Sequence, residues 1–437
     1  MSKADGILKR NVAWMYHTNI YEVNFRQYTR EGTFNAFLPE LPRLREMGVH
    51  TLWFMPVMPI AKAMMKGTMG SYYACSDYTA INPEFGSAGD FKKLVNRCHE
   101  LGFKVILDWV ANHTGWDHVW TKEHPEYFER DEKGNFKAAS GMDDIIELDY
   151  SNPALISAMI SAMKFWIENF DIDGFRCDLA AWVELHFWKA ARPELEKIKP
   201  LFWLGEFDVL ENPDYMQVFD VAYAWRWMHA TETFYKTQRD VGLLKELLKN
   251  YAGNYPSQTT GMYFTSNHDE NSWNGTEFEK YGDMAMPLAV FSCTWTGVPL
   301  LYSGQELPNT KRLQFFDKDL IAWDGQYELS GFFKKLLRLH SDNPALAFWG
   351  KDNETKILTV PSDNYILAFY RKSGTNIVLV LLNFSPYPSV FNISEAALKG
   401  PFTELFTGEK RTLSAKDMFQ LDAWGYKVYV YGRAENE

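Results

Sequence analysis

Three carboxylates in this 437-residue chain sit where short apolar runs end. Asp178 follows "DGFRC", Glu206 lies within "LFWLGEFD", and Asp269 closes "GMYFTSNHD". Arg176 precedes Asp178 by two positions, so on an extended segment both side chains project the same way. Asp108, Asn112 and His113 end the run "KVILDWVANH", while Asn267 and His268 precede Asp269. One ion pair at a strand end is a common structural device. Four polar clusters at strand ends need a further reason, because burying polar groups is expensive. No triad serine and no glycine-rich phosphate loop accompanies them. Carboxylates among an arginine and histidines suit glycoside hydrolysis, in which one ionised and one protonated carboxyl flank the scissile bond. Metal-dependent hydrolysis is the alternative, since Asp108, His113 and His268 also fall at strand ends, but the chain has no His-x-His ligand pair.

These residues require a scaffold that brings distant segments to one rim. Apolar runs alternate with amphipathic helical patterns up to about residue 345: "NVAWMYHTNI", "HTLWFMPVMP", "KVILDWVANH", "DGFRCDLA", "LFWLGEFD", "VFDVAYAW", "GMYFTSNHD" and "GVPLLYSGQE". Continuous apolar strands alternating with helices predict parallel pairing buried on both faces. Eight such units predict an α/β fold, a (β/α)8 TIM barrel, whose site lies at the C-terminal strand ends. An open doubly wound sheet would not need eight regular units, and no phosphate fingerprint follows the first run. The stretch after the third strand is too long for a plain connection. We therefore expect a barrel over 1–113 and 153–345, an inserted subdomain over 114–152, and a C-terminal antiparallel β-sandwich over 346–437. The last rests on "TKILTVPSDNYILAFYRKSGTNIVLVLLNFS" and "GYKVYVYG", with turns at Ser-Asp-Asn and Lys-Ser-Gly-Thr.

Composition narrows the partners. A formal net charge of −11 argues against nucleic acid and against an anionic membrane. The aromatic share of 16%, including 16 Trp, serves either a larger core or the stacking of sugar rings. Cys75, Cys98, Cys177 and Cys293 have neither metal-ligand spacing nor a disulfide framework, as expected of free thiols in a reducing compartment. No signal-peptide pattern opens the sequence and no run of about 20 apolar residues follows, so the expected location is cytoplasmic.

The motifs together resemble the α-amylase family, glycoside hydrolase family 13. "DWVANH", "GFRCD", the Gly-Glu of "FWLGEF" and "FTSNHD" match its four conserved regions in order. "SYYACSDYTAINPEFG", "IIELDYSNP" and "GVPLLYSGQE" are similar to its flanking segments. The resemblance implies that Asp178 is the nucleophile, Glu206 the general acid/base and Asp269 the third carboxylate that grips sugar hydroxyls. It implies that Tyr73 stacks on the sugar at the cleavage point, that Arg176, His113 and His268 line that subsite, and that Asp108 supports the arginine. A retaining hydrolase acting on α-1,4 bonds of starch- or glycogen-derived glucans or maltooligosaccharides is the expectation, with the two carboxyls about 5–5.5 Å apart. A 4-α-glucanotransferase, an exo-acting α-glucosidase and a non-catalytic carbohydrate-binding relative are the alternatives.

No organic cofactor is implied. Many members of the family carry a structural calcium, and Asn112 matches one of its ligands, but the remaining ligands are not identifiable, so calcium stays open. Asp117 with His118, and Asp143 with Asp144, are other oxygen-rich candidates. Where many relatives place a lysine and a histidine beyond the nucleophile, this chain has Ala181 and Trp182. Trp182 is thus a candidate for stacking on substrate or for packing. Trp116, Trp120 and Trp273 are further candidates for sugar platforms, and His17 for lining the site from the first strand.

Overall fold

A computed structural model of the chain describes residues 12–238, 240–323, 325, 327–361 and 364–431. Residues 1–11 and the Ser362–Asp363 part of the first expected C-terminal turn lie outside them. Eight short strands form the barrel: β1 (Ile20–Val23), β2 (Thr51–Phe54), β3 (Lys104–Trp109), β4 (Gly174–Cys177), β5 (Phe202–Asp208), β6 (Val221–Tyr223), β7 (Thr260–Tyr263) and β8 (Val298–Tyr302). They close in the order β1-β8-β7-β6-β5-β4-β3-β2, and every pair is parallel. Most strand residues are buried, which is why the runs are continuously apolar rather than alternating.

Helices between strands begin and end where local chemistry dictates. Ser87 caps the helix Ala88–Glu100 reciprocally with Asp90, satisfying donors that a helix start leaves open. Asn152 caps Pro153–Phe170, with Pro153 in the first helical position. That helix leads back into β4, and its Trp166 donates its indole N–H to the Tyr78 carbonyl at 2.7 Å. Between β3 and β4 the chain folds a three-stranded antiparallel sheet from His113–Gly115, Ala138–Ala139 and Met142–Glu147.

The first strand differs from expectation. Ala13–His17 of the run "NVAWMYHTNI" form a 3-10 helix, and pairing begins only at Ile20. His17 therefore precedes β1 at the N-terminal barrel face, near Trp14 and His50, and does not line the carboxylate site. The run is apolar because it packs that face, not because it is a strand.

After the helix Ser330–Asp342 the chain forms a six-stranded antiparallel sheet and a two-stranded sheet, Ser389–Ser394 with Lys416–Leu421. Alternation within Ile366–Ser373 divides its residues between two cores. Ile366, Ala368 and Tyr370 pack with Phe391, Phe419 and Tyr429, whereas Leu367 and Phe369 join the barrel core. Phe369 lies edge-on to Trp295, ring centroids 4.9 Å apart. No described helix is long and apolar enough to cross a membrane.

Candidate active site

At the C-terminal rim of the barrel lies a cavity of about 410 Å³. Asp178, Glu206 and Asp269 line it, together with Tyr73, His113 and Phe315. A cavity of about 490 Å³ elsewhere is lined by Tyr251, Tyr255, Trp295 and Trp349 but by no carboxylate, so size alone does not mark the chemistry.

Arg176 is the hub of this site. Its side chain is fully buried, and its Nη1 donates to Asp108 Oδ1 and Asp178 Oδ1, both at 2.9 Å. Its Nη2 lies 2.8 Å from Glu206 Oε2, an ion pair without hydrogen-bond alignment. One planar guanidinium thus reaches Asp108, Asp178 and Glu206 together, with two nitrogens held apart in a rigid fork that a point-like ammonium does not have. Its Nε donates to the Tyr223 hydroxyl at 3.0 Å, and the Trp53 ring lies 5.0 Å from its central carbon.

Local backbone features place the two carboxyls. Just after Asp178, Leu179 adopts a left-handed conformation (φ 41°), uncommon for a residue with a branched side chain. This turn directs the Leu179 N–H to Glu206 Oε2 at 2.8 Å. On β5, a Cβ at position 205 would sit 2.5 Å from the Phe207 ring and 2.8 Å from Phe219, so only glycine fits before Glu206.

A second network holds Asp269 and Tyr73. His268 Nδ1 lies 2.5 Å from Glu22 Oε1, and its Nε2 lies 2.7 Å from the Tyr73 hydroxyl and 3.3 Å from Asp269 Oδ2. The Tyr73 hydroxyl donates to Asp108 Oδ2 at 3.0 Å, joining the two networks. Burial alone would depress His268, but the Asp269 and Glu22 carboxylates outweigh it and lift the imidazole to about 9. The charge on His268 therefore stabilises the fold fully below its ordinary value near 6.5, and that stabilisation is lost as pH rises through 9. Melting temperatures measured from pH 6 to 10 are expected to fall less steeply across this window in Glu22→Gln than in the parent. Parallel curves would refute the pairing.

His113 behaves in the opposite way. Burial pushes it down to about 3, outweighing a smaller upward pull from the Tyr73 backbone, so it is neutral. Burial also raises Asp108, Asp178 and Asp269. For Asp178 the Glu206 charge adds to this, and together they exceed the downward pull of Arg176. The guanidinium therefore does not by itself keep Asp178 ionised: too many carboxyls share one buried arginine.

The sequence-predicted residues separate into layers. Asp178, Glu206, Asp269, Tyr73 and His113 face the cavity, while Asp108, Arg176 and His268 lie buried beneath it. Trp182 is 52% exposed and does not line the cavity. Trp116 donates its indole N–H to the Asp143 carbonyl at 2.9 Å, and Trp120 packs on Tyr78 and Tyr127, so both serve the inserted sheet. Trp273 does line the cavity, its ring centroid 5.3 Å from that of Phe315. Sequence reasoning missed Glu22, Trp53, Tyr223, Phe315 and Lys66. Only Glu22 left a signal, as a lone charge within the apolar stretch "NIYEV".

The oxygen-rich candidates do not fit a calcium ion. Lys66 Nζ lies 2.6 Å from Asp143 Oδ1 and 2.8 Å from Asp144 Oδ1, so an ammonium already stands between the two carboxylates where a cation would sit. Asp117 accepts the backbone N–H groups of Lys62 and Ala63, and His118 Nδ1 accepts the N–H of Trp120. The Asn112 amide contacts the His113 ring at 3.3 Å. Among the described residues no three His, Cys, Asp or Glu side chains group as a metal site.

Comparison with known proteins identifies the family. The family model described as "Alpha amylase, catalytic domain" matches residues 19–141 and 129–329, and "Maltogenic Amylase, C-terminal domain" matches 356–428. Alpha-amylase 2 of Dictyoglomus thermophilum is 24% identical over 90% of this chain and 71% of its own length. A solved structure of the maltogenic alpha-amylase AmyB from Thermotoga neapolitana superposes with a TM-score of 0.87 at 28% identity, covering 95% of this chain and 99% of that one. An alpha-amylase from Lactobacillus plantarum gives 0.85 at 27%, covering 96% and 100%.

Proposed function

Because this chain belongs to the α-amylase family, we propose that it is a retaining glycoside hydrolase cleaving α-1,4-glucosidic bonds in starch- or glycogen-derived glucans or maltooligosaccharides. The observation that carries this reading is the single guanidinium holding Asp178 and Glu206 side by side, with Asp269 on the same cavity.

Glu206 gives its proton to the glycosidic oxygen as Asp178 attacks the anomeric carbon. The carbon–oxygen bond breaks, the aglycone leaves as an alcohol, and a glycosyl ester forms on Asp178. Glu206, now a carboxylate, takes a proton from water, which attacks the same carbon and releases Asp178. The repulsion between the two carboxylates serves this cycle. A proton on Glu206 removes the nearest negative charge from Asp178, so Arg176 then favours the ionised nucleophile. Positive charge developing on the sugar faces Asp178 and Asp269, which stabilise it. Asp269 accepts hydrogen bonds from sugar hydroxyls, His113 lines the same subsite, and Tyr73 supplies the stacking face.

Early hydrolysis of maltooligosaccharides followed by proton NMR is expected to release the α-anomer first. Release of the β-anomer would overturn the assignment of Asp178. A product series lengthening beyond the starting oligosaccharide would instead mark a 4-α-glucanotransferase, in which a sugar hydroxyl replaces water in the second step.

A further inference from the structure

The segment 61–70, after β2, is tied down along its length. The N–H groups of Lys62 and Ala63 donate to Asp117 on the insert. Lys66 bridges Asp143 and Asp144, also on the insert. The Thr68 backbone N–H and hydroxyl both donate to Asp317 Oδ1, and the Met69 N–H donates to the Phe316 carbonyl at 3.0 Å. Arg26 holds the far end through the Gly70 and Met69 carbonyls. A Cβ at Gly67 would lie 2.5 Å from Phe316 Cβ, so the strap passes in direct contact with the loop that follows β8.

Barrel order fixes which side this closes. The insert follows β3 and the Phe316 loop follows β8, so the strap arcs over β1 and β2. Glu206 is on β5, which lies across the ring from β1. An acid that protonates the leaving oxygen stands on the aglycone side, so the strap stands on the glycone side. There Lys66, Met142, Asp144 and Phe316 form cavity wall. Its volume of about 410 Å³ is the scale of a small-ligand site, room for about two hexose rings.

We propose, on the reading given above, that Lys66 is a specificity-determining residue whose bridge to Asp143 and Asp144 ends the cleft on the glycone side. The non-reducing end of the glucan stops against this wall, and the enzyme therefore releases short fragments from that end. An ammonium carries three donors, of which two carboxylates engage two, leaving one for a terminal sugar hydroxyl.

The test is digestion of maltoheptaose labelled at its reducing end, with fragment lengths read at early times. Unlabelled fragments then report how many sugars occupy the glycone side. The parent and Lys66→Arg are expected to release mainly a mono- or disaccharide. Lys66→Ala, and independently Asp143→Asn with Asp144→Asn, are expected to lengthen that fragment by a sugar unit or more. The second variant breaks the bridge from the other side, so a poorly folded Lys66→Ala still leaves an answer. Unchanged fragment lengths in a folded, hydrolysing variant would overturn the role of the bridge alone, as would long unlabelled fragments from the parent. A parent inactive on every α-1,4-glucan would overturn the hydrolase reading and the inference with it.

Discussion

Asp178→Asn is expected to lower kcat on maltooligosaccharides by about 10⁴-fold or more while making the protein harder to unfold at neutral pH. The two effects share one cause. Burial and the neighbouring Glu206 charge raise the Asp178 carboxyl above its ordinary value, so its ionised form is a net cost to the folded state. The cost is absent at pH below the unfolded value and grows as pH rises toward the folded one. Asparagine imitates the neutral acid in size and removes both the cost and the nucleophile. A higher melting temperature at pH 7.5, with the difference shrinking toward pH 4, is the expected signature. Near-parental activity would remove Asp178 from its assigned role, and a lowered melting temperature would contradict the charge argument. Glu206→Gln is the companion, equally inactive on natural substrates. Substrates carrying a leaving group that needs no proton should recover part of its activity.

Arg176→Met should destabilise the protein by about 3–5 kcal/mol, because it removes the buried cation that Asp108, Asp178 and Glu206 share. Asp108 is fully buried, and its other partners are the neutral donors Trp53 and Tyr73. Removing the guanidinium therefore strands at least one anion in a dry environment, or forces it to take up a proton. Denaturant unfolding checks the magnitude. The destabilisation should shrink as pH falls and the carboxyls protonate, which a simple packing defect would not do. Arg176→Lys restores a charge but not the fork that reaches Asp178 and Glu206 together, so it should recover stability in part and little activity. A mild, pH-independent loss in Arg176→Met would show that the carboxyls find other compensation.

Much of this site was legible because charges are conspicuous at the ends of apolar runs. Asp108, Arg176, Asp178, Glu206 and Asp269 interrupt continuous hydrophobic stretches, and the barrel arrangement brings such interruptions to one rim. The cavity walls gave no such signal. Lys66, Phe315 and Phe316 lie in irregular loops, where side-chain periodicity carries no information and proximity depends on the whole fold. Trp182 shows the opposite limit. It is four residues from Asp178, yet the left-handed turn at Leu179 and the 3-10 turn Ala180–Trp182 intervene, so nearness in sequence did not bring it into the cavity wall. The run before β1 reads as strand although Ala13–His17 form a 3-10 helix, because an apolar face of a short 3-10 helix and a buried strand have the same composition over five residues. Periodicity cannot separate them at that length.

The pairing of Glu22 with His268 has a consequence for how the molecule is made. Glu22 sits on the first barrel strand, and its backbone carbonyl also accepts the N–H and hydroxyl of Ser303, just past the last. During synthesis the β1 segment leaves the ribosome some 280 residues before that partner. Until the ring closes, Glu22 is an isolated charge in an apolar strand, and His268 lacks one of the two anions that hold its proton. Contacts so remote in sequence form late, because loop closure must precede them. Return of catalytic activity after dilution from denaturant should therefore report the final closing of the barrel, and lag behind signals from helices alone.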